Sequence, residues 1–223
     1  MRYNNRYAMP VHPKVLEKDY KSDSLINSIL EIEFILKDRT DFEPNEISYL
    51  NETLHNLWYR INHKQGINLR DREKLLTVFQ ELSRIFGGSK NVPVAYRGTR
   101  LSRFDPNALS RTFPYTMEHP EVIEHLENLA YGLRSWSQKP KSAYRWAKGS
   151  SDGDTRDRVV FKVLNTEVVL DANPVNKFFN DNLDYDTGYL SVFDNNEVIL
   201  YMRNPKVISI EKTFDNIWEV EVK

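Results

Sequence analysis

The 223-residue sequence contains no cysteine. Disulfide staples, thiolate nucleophiles and cysteine-ligated zinc are therefore excluded. It also lacks an excess of either charge, with 31 Lys and Arg against 32 Asp and Glu. The whole chain thus carries no basic footprint of the kind that draws proteins onto nucleic acid, although a local basic groove is compatible with that balance. Long apolar runs are missing as well. The opening Met1-Arg2-Tyr3-Asn4-Asn5-Arg6-Tyr7 has none, so no secretory signal is expected. No stretch approaches the roughly 18 apolar residues of a membrane span. The expectation is a soluble, cytoplasmic protein with no membrane partner. Histidine is scarce: His12, His55, His63, His119 and His125 make no HExxH pair, and no metal is expected. A Gly-x-Ser-x-Gly nucleophile elbow is absent too.

Against these absences, a 40% apolar fraction suffices for a sizeable core. In the first part of the chain it is distributed with helical period. Leu25, Ile29, Ile32 and Leu36 mark one stripe behind a cap at Ser22 or Asp23. Ile47, Leu50, Leu54, Leu57, Trp58 and Ile61 mark a second, opened near Asp41 and Pro44 because proline is tolerated in a first turn. Leu75, Leu76, Phe79, Leu82, Ile85 and Phe86 mark a third, stopped by Gly87-Gly88. Beyond Gly88 the texture becomes short and extended. Val92 to Tyr96 reads as a strand bounded by Gly98, and residues 103–116 as a loop. A helix follows from Pro120, then a strand over Leu133 to Ser137, a short helix over Ser142 to Lys148, and a polar loop over 150–157. Strands are expected at 159–164, 168–170, 198–202, 207–210 and 218–222. The expected fold class is α+β. An N-terminal helical segment (1–88) packs on a compact mixed-sheet core (89–223).

Three short patterns can carry chemistry. Tyr96-Arg97-Gly98 puts a guanidinium, able to grip a phosphate bidentately, at a strand end where glycine permits close approach. In Ser135-Trp136-Ser137 both hydroxyls share one face of a strand, where they can hold sugar hydroxyls. In Asn195-Asn196-Glu197 a carboxylate opens a strand, where it can stabilise positive charge at an anomeric carbon. Taken singly, each pattern equally suits a structural arginine, a solvent-facing strand side and an ordinary turn.

In this order the three patterns resemble the Arg-Ser-Glu class of mono-ADP-ribosyltransferases, which includes bacterial toxin, vertebrate and phage enzymes. The resemblance runs from about Val92 to the C-terminus. It implies NAD+ as substrate, nicotinamide as leaving group and no metal. Arg97, Ser135 and Glu197 would be catalytic. Arg97, Gly98, Ser135 and Ser137 would bind NAD+, with Glu197 as the essential glutamate. Asn195, Tyr189 and Phe193, in a 185–196 loop that also holds Tyr185, would meet the acceptor. The family usually has Glu or Gln where Asn195 stands. Arginine-modifying members have Glu, so the resemblance here implies a non-arginine acceptor, protein ahead of RNA or DNA. An NAD glycohydrolase and an inactive binding module stay open as alternatives. So do the roles of toxin, of phage modifier and of effector held by an antitoxin or inhibitor.

Overall fold

The computed structural model describes residues 41–63, 69–87, 90–101, 120–149, 157–183, 196–213 and 217–223, together with positions 30, 32 and 34–36. Positions 30, 32 and 34–36 are helical, and of these Ile32 and Leu36 are buried. The elements that follow are helices α1 (Pro44–His63) and α2 (Leu69–Phe86), strand β1 (Asn91–Leu101), α3 (Pro120–Ala130), β2 (Gly132–Ser137), α4 (Pro140–Lys148), β3 (Asp157–Glu167), β4 (Leu170–Asp171), α5 (Ala172–Asn182), β5 (Glu197–Met202), β6 (Val207–Lys212) and β7 (Ile217–Val222). The fold is α+β, as its sequence pattern implies. The cap assigned to Ser22 or Asp23 lies outside the described residues.

Helix α1 starts where its chemistry allows. Pro44 occupies the first turn, and the Glu46 carboxylate reaches back to accept from the Glu43 backbone N–H at 2.9 Å, one half of a capping box. Its apolar stripe and that of α2 then do one job. Leu50, Leu54, Leu57, Leu75, Phe79 and Leu82 are all buried, and they share a core with Leu133 of β2, Ile199 of β5 and Phe179 of α5. The helices of the first part of the chain thus cover one face of the sheet.

The seven strands run in the order β4-β5-β2-β1-β3-β7-β6. All neighbours are antiparallel except β3 and β7, which are parallel. Strands β2 and β5 pair along their whole length, Gly132 with Met202 through Ser137 with Glu197. Strands β1 and β3 do likewise from Asn91↔Glu167 to Leu101↔Asp157. Between these two halves, β1 and β2 register at Tyr96↔Ser137 alone. The sheet is therefore split by a seam. A second core fills the face away from α1, with Trp136, Phe161, Val198 and Leu200 packed against Val122 and Leu126 of α3.

Beyond shifted ends at β3 and β4, two elements differ most from the sequence expectation. Strand β1 does not stop at Gly98 but runs on to Leu101, because β3 pairs with it throughout. Helix α5 was not expected at all. It is capped by Asp171, whose side chain accepts from Asn173 N. Its apolar residues, Ala172, Val175, Phe178 and Phe179, are set among asparagines, too few to register as a period.

Candidate active site

The seam between β1 and β2 brings the three patterns together. Period-two alternation settles the faces. On β2, Leu133 belongs to the helix-side core and Trp136 to the opposite one, so Ser135 and Ser137 look toward the α1 side. On β5, Ile199 belongs to the helix-side core and Val198 to the other, so Glu197 looks the same way. The pairing of Ser137 with Glu197 sets the hydroxyls and the carboxylate on adjacent strands of one face.

Arg97 enters from across the seam. Its Nη1 donates to the backbone carbonyl of Ser135 at 2.8 Å. Registered with β1 only at Ser137, β2 leaves that carbonyl without a ladder bond from β1, and the guanidinium takes the place of one. Burial, and then the like charge of Arg134, pull the Arg97 guanidinium down to about 9, while Glu197 opposes the shift. At neutral pH the group remains cationic, under the opposed influences of a second cation and the carboxylate.

Glu197 is 4% exposed, whereas Arg97, Ser135 and Ser137 are half-buried. Of these four residues Glu197 is thus the least exposed. The turn that delivers Glu197 is fixed by hydrogen bonds. Asn196 adopts a positive φ of 67°, its N–H is received by Asn173 Oδ1 at 3.0 Å, and its carbonyl accepts from Gln138 N at 2.9 Å. Asn173 is itself tied to the buried Asp171 at 3.1 Å, which also pairs with Lys90. Ser137 Oγ accepts from Lys139 N at 3.1 Å, so this hydroxyl shapes the entry to α4.

Gly98 has a reason the sequence does not announce. Helix α4 lies directly on β1 there, and a Cβ on residue 98 would fall 1.8 Å from the Ala143 carbonyl oxygen. Ala143 and Ala147 are buried in this contact while Trp146 is exposed. Asn195, Tyr185, Tyr189 and Phe193 lie outside the described residues.

Sequence reasoning missed one site residue, Trp58. It counted only as an apolar position on α1, yet its indole Nε1 donates to Glu197 Oε1 at 2.6 Å. The available signal was chemical rather than periodic: a buried tryptophan usually finds an acceptor for its N–H, although the buried Trp136 indole has none here. Beside it, His55 lies with its ring centroid 6.0 Å from that of Trp58, and burial lowers its pKa from 6.5. Among the described residues, no group of three or more His, Asp and Glu could hold a metal ion, and no helix is long and apolar enough to cross a membrane.

No family model matches this sequence, and no curated protein matches it either. Solved structures do show a likeness. The ADP-ribosyltransferase Vis in complex with agmatine is 13% identical, with a TM-score of 0.36, over 93% of this chain and 87% of that one. Exoenzyme S from Pseudomonas aeruginosa, in complex with human 14-3-3 protein beta and bound to Carba-NAD, is 11% identical, with a TM-score of 0.36, over 90% and 86%. C3larvin toxin, an ADP-ribosyltransferase from Paenibacillus larvae, is 13% identical, with a TM-score of 0.30, over 94% and 90%. Superpositions this loose equate no residues, so what the site can do follows from its own side chains.

Proposed function

We propose that this protein transfers ADP-ribose from NAD+ to a macromolecular acceptor and releases nicotinamide. The observation that carries the reading is the convergence at one seam of a guanidinium, a pair of strand hydroxyls and a buried carboxylate. Arg97 offers its planar fork to the diphosphate. Ser135 holds the nicotinamide-side ribose, and Ser137 supports the strand. The bond from the ribose anomeric carbon to the nicotinamide nitrogen breaks, and its electron pair stays on that nitrogen, which loses its positive charge. The carboxylate of Glu197 stabilises the positive charge that develops on the sugar. The acceptor nucleophile then bonds to the anomeric carbon and gives up its proton. No leaving-group proton is needed, so one carboxylate serves where other glycosidic chemistry uses two.

The acceptor is assigned to protein ahead of nucleic acid, since the balanced charge gives no strong phosphate attraction. Arginine is disfavoured because Asn195 supplies an amide, which cannot deprotonate a guanidinium. The test is NAD+ labelled in its adenylate half, offered with cell lysate and, separately, with agmatine. Label should become attached to macromolecules, be released by protease rather than nuclease, and fail to appear on agmatine. Label recovered as free ADP-ribose identifies a glycohydrolase instead, and efficient labelling of agmatine would overturn the argument from Asn195.

Arg97→Lys should not restore function. A point charge cannot reproduce the fork that meets both the Ser135 carbonyl and a phosphate. NAD+ affinity should fall roughly tenfold or more, measured by calorimetry. Unchanged affinity and turnover would move the phosphate site away from Arg97.

A further inference from the structure

We propose that Trp58 is a positioning residue for Glu197, so that helix α1 completes the active site as well as covering the sheet. The proposal rests on the transferase reading of the seam. The contact spans 139 positions of sequence and joins two buried groups, Trp58 at 6% exposed and Glu197 at 4%. An indole N–H can only donate, so the direction of this hydrogen bond is unambiguous and its acceptor suits an ionised carboxylate. At 2.6 Å it has the shortness of a charge-assisted bond.

The surrounding packing makes the donor rigid. Leu54 and Leu57, on the same stripe of α1, are fully buried against the core that contains Ile199, the next residue on the Glu197 face. His55 flanks the indole, and its lowered pKa keeps it neutral at neutral pH, so it brings no competing cation. The charges of Arg97 and Glu197 act on each other. The carboxylate thus has a fixed neutral donor on the helix and the influence of a cation on β1. Anchoring one oxygen fixes the plane of the carboxylate before substrate arrives, the kind of preorganisation on which transition-state stabilisation depends.

The test uses the full chain, with release of nicotinamide from labelled NAD+ as readout. Trp58→Phe keeps a buried aromatic ring and removes the donor. In the wild-type background kcat should fall roughly 10- to 100-fold, the range for a hydrogen bond to a charged group, while KM for NAD+ stays the same. In a Glu197→Gln background the same substitution should cost far less, because the pair acts as a unit. Equal losses in both backgrounds would make Trp58 a packing residue and overturn the proposal, as would an unchanged kcat. Should Trp58→Phe fail to fold, 1H–15N spectra of wild type and Glu197→Gln decide the matter. One of the four tryptophan indole N–H signals should move when its acceptor loses its charge, and four unmoved signals overturn the contact. A wild type that releases no nicotinamide sinks the reading of the site and this inference with it. An active wild type indifferent to Trp58→Phe sinks the inference alone.

Discussion

Glu197→Gln should leave a folded protein that consumes NAD+ on the order of 10²-fold or more slowly, the loss typical of one transition-state electrostatic group. The substitution is nearly isosteric, so the pairing of residue 197 with Ser137 and the packing of β5 should survive. A side-chain amide oxygen can still receive the Trp58 N–H. What disappears is the negative charge, and it disappears from a buried position where charge acts through a low dielectric. Positive charge develops on the ribose only as the nicotinamide bond breaks, so kcat should fall while KM for NAD+ changes little. Arg97 also loses the partner that opposes the lowering of its pKa, an effect that bears on diphosphate binding and should be the smaller of the two. Steady-state kinetics alongside a thermal melt separate these effects. Near-normal turnover by a folded Glu197→Gln protein removes the carboxylate from the chemistry.

Gly98→Ala should carry the largest cost in stability. A Cβ there would sit 1.8 Å from the Ala143 carbonyl oxygen and 2.8 Å from the Ala147 backbone nitrogen. Both are helix backbone atoms, so no side chain can rotate away, and α4 must lift off β1 as a unit. Overpacking of this severity costs about 3 kcal/mol or more, which for a chain of this length is a fall in melting temperature of roughly 6–12 °C. Activity should fall as well, since Arg97 is the adjacent residue. Gly87→Ala is the control. Its Cβ would meet the Pro174 ring at 2.9 Å, a far milder approach than 1.8 Å, and the loss should be smaller. Equal melting curves for Gly98→Ala and the wild type would show that the close approach of α4 does not matter.

Much of this fold is legible in the sequence because it is written in period. The stripe from Ile47 to Trp58 and that from Leu75 to Phe86 are buried or partly buried as their spacing implies. The alternation of Ser135, Trp136 and Ser137 correctly sends the tryptophan to one core and the serines to the other face. What period cannot carry is less legible. Helix α5 depends on a cap at Asp171 and a short set of apolar residues. The extent of β1 depends on its partner β3, and a glycine that reads as a terminator proves to be a site of helix–strand contact. Trp58 illustrates the limit most clearly. Its place on a buried stripe follows from spacing, but the identity of the group its N–H meets, 139 residues away, is a property of the sheet topology. The order of Arg97, Ser135 and Glu197 was visible in the chain. Their meeting at a seam with a single register pair was not.

The central claim is that this seam cleaves NAD+ between ribose and nicotinamide and passes the ADP-ribose on. Two preparations of NAD+, one labelled in nicotinamide and one in the adenylate phosphate, test it directly when incubated with the wild-type protein and cell lysate. The account predicts that the two labels part company in equal amounts, the first recovered as free nicotinamide and the second bound to macromolecules. Recovery of both labels as intact NAD+ would contradict it.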